Sequence, residues 1–321
     1  MTNHPPEERL TIGVDVGGTK VLAGVVDQYG GLGATARRST PGRRVDAELV
    51  EETIADAVSA VANGRPIAAV GVAAAGFVDA AGQRVMFAPH LPWQGEDVRA
   101  RLSKRIGAAV VLDNDANAAA WAEWRYGAAR DTTNVIVVTM GTGIGGGIVL
   151  DGRVLRGRNG MAGEFGHMQV VPDGHPCECG GRGCWEQYSS GNALVRFARE
   201  RIGVRPTVLE DLCHGNPDLL TGPMVTEAAE EGDLVARDAF AAVGDWLGVG
   251  LANLVAAFDP ERIVIGGGVS AAGDRLLEPA RRALVRSLVG AAQRVVPDVV
   301  RAKLGPEAGL VGAADLARQL R

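Results

Sequence analysis

At 321 residues the chain is long enough for two ordinary α/β domains, each with its own core, and too long for a single small module. Its 46% hydrophobic and 22% charged content is that of a globular protein, and 45 glycines, the conspicuous excess, imply many tight turns. A net charge of −5 offers no electrostatic footprint for nucleic acid or an anionic membrane, so a small molecule is the expected partner.

The opening MTNHPPEERL has no apolar targeting core. No later apolar run reaches the roughly 18 residues of a membrane span without a Gly, Asp or Asn interrupting it. A cytoplasmic location is therefore expected. In a reducing compartment clustered cysteines are expected as metal ligands rather than disulfides, whereas Cys213 stands alone and reads as an inert thiol.

Thr11 to Val16, TIGVDV, is a strand-like run broken by Gly17, Gly18 and Thr19, and a second run follows from Val21 to Val26. A Walker phosphate loop needs a helix after its Gly-Lys-Thr, and the β-branched VLAGVVD after Lys20 does not supply one. A glycine hairpin can still offer backbone N–H groups and a Thr hydroxyl to phosphate oxygens, with Asp15 placed to hold a magnesium shell. An ordinary hairpin turn is the plainer reading of the same residues. The stretch RRSTPGRR at 37–44 reads as a solvated loop.

Asp46 to Ala62 carries Leu49, Val50, Ile54, Ala57, Val58 and Val61 at helical spacing, which predicts an amphipathic helix. Ile67 to Val72 reads as a buried strand leading into AAAGFVD, where Gly76 lets a ligand approach the backbone. A polar helix follows from about Asp97, then a short buried strand, Ala108 to Leu112, then Asp113, Asn114 and Asp115, then an alanine-rich helix through Trp124. Carboxylates at the end of a parallel strand sit where open α/β sheets bind ligands, although one of the three can serve simply as the helix N-cap.

Asn134 to Thr139 is a predicted strand, Gly141 to Gly147 (GTGIGGG) a turn and Ile148 to Leu150 a second strand. This second strand–glycine turn–strand unit, about 125 residues after the first, suggests a duplicated architecture in which each half contributes a phosphate-holding turn. The segment from Glu164 to Glu186 then gathers His167, Cys177, Cys179 and Cys184. Three thiolates and an imidazole at workable spacing predict a closed tetrahedral zinc site with ligand distances of about 2.0–2.3 Å. His175 is a rival fourth ligand. Leu234 to Phe258 is a long predicted helix with Phe240, Val243, Leu247 and Leu251 at apolar positions, and Pro260 marks its end. Arg262 to Ile265 is a strand running into Gly266, Gly267 and Gly268, a third glycine turn. Leu276 to Leu288 and Ala308 to Leu320 are helical by spacing.

Six motifs now stand in order: DVGGTK at 15–20, DNDAN at 113–117, GTGIGGG at 141–147, GEFGH at 163–167, CECGGRGCWE at 177–186 and IVIGGG at 263–268. Together they resemble the ROK family of sugar kinases, repressors and open reading frames, in the family order and over nearly the whole chain. The resemblance implies a two-domain α/β fold of the actin/hexokinase-like (ribonuclease H-like) type with a central ligand cleft. Residues 1–115 plus 305–321 would form the smaller domain, and 116–304 the larger one with the structural zinc site.

The implied activity is MgATP-dependent phosphorylation of a hexose at its 6-hydroxyl, with glucose as the expected sugar and N-acetylmannosamine, N-acetylglucosamine, mannose or fructose as alternatives. Carried over by motif, Asp115 is the general base, and Gly76, Asn114, Glu164, His167 and Glu186 contact the sugar. Asp15, Gly17, Gly18, Thr19 and Lys20, with Thr142 and Gly143, hold the ATP phosphates and Mg2+, while Gly266, Gly267 and Gly268 approach the nucleoside. Phosphoryl transfer asks mainly for positioning, charge neutralisation and one carboxylate to take the hydroxyl proton, which agrees with these assignments. Zn2+ held by His167, Cys177, Cys179 and Cys184 would be structural, and would fix the tautomer of His167 as a sugar contact.

The resemblance further implies a homo-oligomer, dimer or tetramer, acting without nucleic acid or membrane. Two readings of other classes compete. A sugar-sensing regulator would carry a helix-turn-helix ahead of the first hairpin, where this sequence has about ten residues, including Pro5, Pro6, Glu7 and Glu8. A non-catalytic zinc module would leave Asp115 and both hairpins without a role.

Overall fold

The computed structural model describes residues 9–319. The readings that rest on Pro5, Pro6, Glu7 and Glu8, the absence of a targeting core in the first eight residues, and the end of the last helix at Leu320 lie outside the described residues. In chain order the elements are β1 (Leu10–Val16), β2 (Lys20–Val26), β3 (Leu32–Ser39), α1 (Ala47–Ala62), β4 (Ile67–Ala74), β5 (Phe77–Val78), β6 (Val85–Phe87), α2 (Val98–Ile106), β7 (Ala109–Asn114), α3 (Asp115–Arg125), β8 (Val135–Met140), β9 (Ile144–Leu150) and β10 (Arg153–Val154). Then come α4 (Gly191–Arg199), α5 (Leu209–Leu212), α6 (Gly222–Glu231), α7 (Leu234–Phe258), β11 (Arg262–Gly266), α8 (Asp274–Ser287), β12 (Asp298–Arg301) and α9 (Ala308–Arg318). By close packing the chain forms two units: Met1–Val137 with Gly147–Gly163 and Lys303–Arg321, and Val138–Gly146 with Glu164–Ala302.

The first sheet has the order β3-β2-β1-β4-β7, with β2 antiparallel to β1 and to β3, and β1, β4 and β7 mutually parallel. Ile12, Val14 and Val16 on β1 and Val70 and Val72 on β4 are buried, as a strand covered on both faces requires. Helix α1 packs the side carrying Val50, Ile54 and Val58 into this core. Helix α9 lies on the sheet at backbone distance. A Cβ added at Gly13 would stand 2.0 Å from the Leu310 carbonyl oxygen, and one at Gly71 would stand 1.8 Å from that of Ala313. Only glycine admits such an approach.

The second sheet has the order β10-β9-β8-β11-β12, which reproduces the order of the first when the strands of each are counted along the chain. The duplicated architecture expected from the two glycine hairpins is thus present in the strand topology. Helix α7 matches its predicted span residue for residue. Among the described residues it is the one helix long and apolar enough to cross a membrane by length and composition, yet 61% of its most apolar window is buried inside the protein. Its glycines serve packing: a Cβ at Gly248 would stand 2.3 Å from the Ala280 carbonyl on α8, and one at Gly250 would stand 2.0 Å from the indole of Trp185.

Four differences from the sequence reading stand out. Arg37 and Arg38 are not loop residues but the end of β3, an edge strand exposed along most of its length, so no apolar alternation marks it. The glycine turn of GTGIGGG is shorter than expected, because β9 begins at Ile144 and takes Gly145, Gly146 and Gly147 into the strand. Gly147 is glycine because α3 crosses it closely; a Cβ there would stand 2.7 Å from the Ala116 carbonyl oxygen. Strand β7 extends past Leu112 to include Asp113 and Asn114, and the four-residue edge strand β12 was too short and too polar to stand out.

Candidate active site

The parallel register of the first unit brings Asp15, Ala73 and Asp113 into line, with Val16, Ala74 and Asn114 one residue further on. The Gly17–Thr19 turn and the Asp113–Asp115 corner therefore leave the same edge of the sheet, the carboxyl end where open α/β sheets bind ligands. The turn is closed by the Gly17 N–H donating to the Lys20 carbonyl at 2.9 Å. It is strapped from outside by Thr40, whose N–H donates to the Thr19 carbonyl at 3.1 Å and whose hydroxyl donates to the Gly17 carbonyl at 2.7 Å. A Cβ at Gly18 would stand 2.6 Å from that of His90, a neighbour of the turn that sequence reasoning passed over. Lys20 reaches back to Asp15 at 3.8 Å. Burial raises the Asp15 pKa, and the Lys20 ammonium pulls against that rise.

The three residues of the corner separate by what they touch. Asp113 is buried and engaged: Arg156 donates to it from Nη2 at 2.5 Å and Nε at 3.0 Å, and Asn117 from Nδ2 at 3.2 Å. Asn114 is the N-cap of α3, its side-chain oxygen accepting from the N–H groups of Ala116 at 2.9 Å and Asn117 at 3.0 Å. Asn114 Nδ2 donates to the Gly76 carbonyl at 3.1 Å and to Asp115 Oδ1 at 3.0 Å, while the Ala116 N–H donates to the same Oδ1 at 2.9 Å. The carboxylate of Asp115 is thereby held in one orientation at the helix N-terminus. The space around Gly309 on α9 shows how close the groups lie: a Cβ there would stand 3.6 Å from Asp15 Oδ1 and 3.7 Å from the Asp115 carbonyl oxygen. Packing on its own also requires glycine at position 76. A Cβ there would stand 2.7 Å from the Phe87 carbonyl oxygen, so packing on β6 demands it.

In the second unit the ligand atoms of His167, Cys177, Cys179 and Cys184 all lie within 4.8 Å of one another. Cys179 and Cys184 are 3.6 Å apart sulfur to sulfur, and Cys177 Sγ is 3.7 Å from His167 Nδ1. A tetrahedral zinc with Zn–S bonds of about 2.3 Å needs sulfur–sulfur edges of about 3.8 Å, so the donor set fits the ion. His175 is not among the four; its ring sits 5.3 Å from that of Tyr188, whose hydroxyl accepts from the His175 N–H at 2.9 Å. Burial pushes the Cys177 thiol up to about 12 and raises that of Cys184, whereas the Gly181 amide holds Cys179 below the ordinary value. Gly183, at φ 74°, lets the knuckle turn back on itself; a Cβ there would stand 1.6 Å from the Val171 carbonyl oxygen. Trp185, buried against α7, anchors the segment by donating its indole N–H to the Trp246 carbonyl at 2.8 Å.

Glu186 follows directly. Its Oε1 lies 3.1 Å from Cys177 Sγ and 3.7 Å from His167 Nδ1, and its Oε2 accepts from the Ile144 N–H at 3.4 Å. Because Nδ1 of His167 faces the cysteines, Nε2 is the ring nitrogen left for another partner. Burial raises the Glu164 pKa, with Glu186 adding to the rise and His167 opposing it.

A cavity of about 540 Å³ lies within the second unit, walled by the Gly141–Thr142 turn, the start of α4, one face of α6, and Gly268 with Val269. Thr142 and Gly268 were expected at a nucleotide and both line it. Gly143 borders Glu186, since a Cβ there would stand 2.3 Å from Oε2. Gly267, at φ 80° and with Met140 backbone 2.4 Å from any added Cβ, shapes the turn, as does Gly266 at the end of β11. The walls from α4 and α6 went unread, because their residues form no motif and act only through the fold.

A model of the ROK family matches residues 11–320. The glucokinase of Streptomyces coelicolor is 47% identical over 313 residues, which span 97% of this chain and 98% of that protein. The crystal structure of a ROK family glucokinase from Streptomyces griseus in complex with glucose and AMPPNP is 48% identical with a TM-score of 0.86, covering 97% of this chain and 99% of that one. The ROK hexokinase from Thermus thermophilus is 36% identical with a TM-score of 0.78, covering 97% and 98%. With its motifs lodged in a doubled α/β fold of the actin/hexokinase type and its length matched end to end, this chain belongs to the ROK family.

Proposed function

We propose that this chain is an ATP-dependent sugar kinase that transfers the terminal phosphoryl group of ATP to the 6-hydroxyl of glucose. The observation that carries the reading is the placement of Asp115, an oriented carboxylate at the sheet edge that also holds Asp15 and the Gly17–Thr19 turn. Near-half identity to the Streptomyces glucokinases over the whole length supports glucose as the sugar.

In this reading Asp115 accepts the proton of the 6-hydroxyl as its oxygen bonds to phosphorus. Asn114 and the Ala116 N–H fix the carboxylate for that transfer, and Asp113, occupied by Arg156 and Asn117, supports the corner without entering the chemistry. Asn114, Glu164, His167 and Glu186 contact the sugar hydroxyls, with Gly76 contributing through its backbone. A wrong epimer leaves such polar groups unpaired, which is the basis of selection. The backbone of Gly17, Gly18 and Thr19, with Lys20, Thr142 and Gly143, holds the phosphates, while Gly266 to Gly268 border the nucleoside. Mg2+, carried in with ATP, supplies charge neutralisation at the phosphates, and Asp15 is the residue that would hold its hydration shell. His167, Cys177, Cys179 and Cys184 would hold Zn2+, which would act as a structural ion and brace His167 and Glu186. We assign the enzyme to the cytoplasm, as a homo-oligomer.

Asp115→Asn tests the reading. It is expected to lower kcat by about 10²–10⁴-fold in a coupled ADP-release assay while glucose binding by calorimetry persists. Retention of more than about a tenth of the wild-type kcat would remove Asp115 as the base.

A further inference from the structure

We infer that Gly309, on α9, belongs to the metal-binding machinery through the side chain it lacks: its bare Cα leaves room beside Asp15 for a water carried on the Mg2+ of the nucleotide. The inference rests on the reading of MgATP as phosphoryl donor.

Every other glycine inside α7 and α9 is demanded by packing. A Cβ would stand 2.6 Å from the Leu276 carbonyl oxygen at Gly244, 2.3 Å from that of Ala280 at Gly248, 2.0 Å from the Trp185 indole at Gly250 and 1.8 Å from the Ala118 carbonyl oxygen at Gly312. Gly309 has no such reason. The nearest atoms to a Cβ there are Asp15 Oδ1 at 3.6 Å, the Asp115 carbonyl oxygen at 3.7 Å and the Ala73 Cβ at 3.9 Å, all ordinary contact distances. Its φ is not positive, so the backbone admits an L side chain as well. Glycine is the poorest helix former after proline, because it loses the most conformational freedom on folding. The helix thus carries a weakening residue where the protein's own atoms do not require one.

The surroundings indicate what the room admits. Gly309 is half-buried, at the carboxyl edge of the first sheet where Asp15 and Ala73 are register partners. Lys20 approaches Asp15 from Oδ2, whereas Oδ1, the oxygen that faces Gly309, accepts no hydrogen bond among the described residues. Asp15 Oδ1 and the Asp115 carbonyl are both acceptors, so a phosphate oxygen would be repelled here and the occupant must be a donor. A cation-bound water meets that demand. Its oxygen is turned to the metal and both its protons point away, and Mg2+ keeps several of its waters when carboxylates hold it. An alanine methyl would take the same place and offer no proton.

The test compares the wild type with Gly309→Ala by thermal unfolding, by kcat against free Mg2+ concentration at saturating ATP and glucose, and by calorimetry of glucose and of ADP with and without Mg2+. The variant is expected to unfold at or above the wild-type temperature and to bind glucose and metal-free ADP normally. Its Mg2+ requirement is expected to rise about tenfold, and the gain in ADP affinity that Mg2+ confers on the wild type to shrink by about the same factor. A lower unfolding temperature would make Gly309 a packing glycine and overturn the inference. So would an unchanged Mg2+ response, and so would a loss confined to glucose affinity, which would give the room to the sugar. Failure of the wild type to phosphorylate glucose would overturn the kinase reading instead, and the ADP measurements would still report on Gly309.

Discussion

Asp315 shows how a single residue ties the first unit together. On α9, it accepts from the Trp121 indole at 2.8 Å, from the Tyr126 hydroxyl, from Arg125 Nε at 3.1 Å and from Arg318 at 2.9 Å. Burial works against its charge, but the Tyr126 and Trp121 hydrogen bonds and the Arg125 guanidinium outweigh it and hold the pKa below 3.8. A carboxyl depressed on folding contributes stability that is present above its ordinary pKa and fades as pH falls through the folded value. Asp315→Asn is expected to cost about 3–5 kcal/mol at neutral pH in denaturant unfolding, with the gap to wild type narrowing below 3.8. A gap that stays constant down to pH 3 would contradict this assignment. At the same scale, Glu186 bridges two features that the sequence presented separately. One oxygen sits at Cys177 and His167, the other at Ile144, directly beyond the Gly141–Gly143 turn.

Among elements, those with a strong apolar pattern were legible and those without one were not. The first hairpin, α1 and α7 were readable because their buried faces repeat at the period of the structure they form. Edge strands β3 and β12 and the short β5–β6 pair bury too little to leave such a pattern, and β9 hid in what read as a glycine turn. The Cys-rich segment stood out because few residue types serve as metal ligands, and the structure gathers His167, rather than His175, with the three thiols. The functional consequence of that segment is testable. We expect about one zinc per chain by elemental analysis, and Cys179→Ser is expected to weaken glucose binding more than ADP binding in calorimetry. Metal-free protein that binds glucose with normal affinity would show that the cluster does not brace the sugar contacts.

For the whole molecule, the repeat of strand order in the two sheets explains why one glycine hairpin near the start of the chain has a counterpart far along it. The corner at Asp113–Asp115 was visible as a trio in the sequence, but that Asp113 is the buried member of it depended on Arg156, 43 residues away. Neither the α4–α6 walls of the 540 Å³ cavity nor His90 beside the first turn carried a local signal, since each becomes relevant only through packing. In the proposed reading, sugar choice belongs to this scale as well, because it would sum the contacts of several side chains with the sugar hydroxyls. The most direct test is therefore a coupled ADP-release assay with MgATP across glucose, mannose, fructose, N-acetylglucosamine and N-acetylmannosamine. Glucose is expected to give the highest kcat/KM, by about tenfold or more over the others; preference for an N-acetylated sugar, or no ADP release with any of the five, would contradict the account.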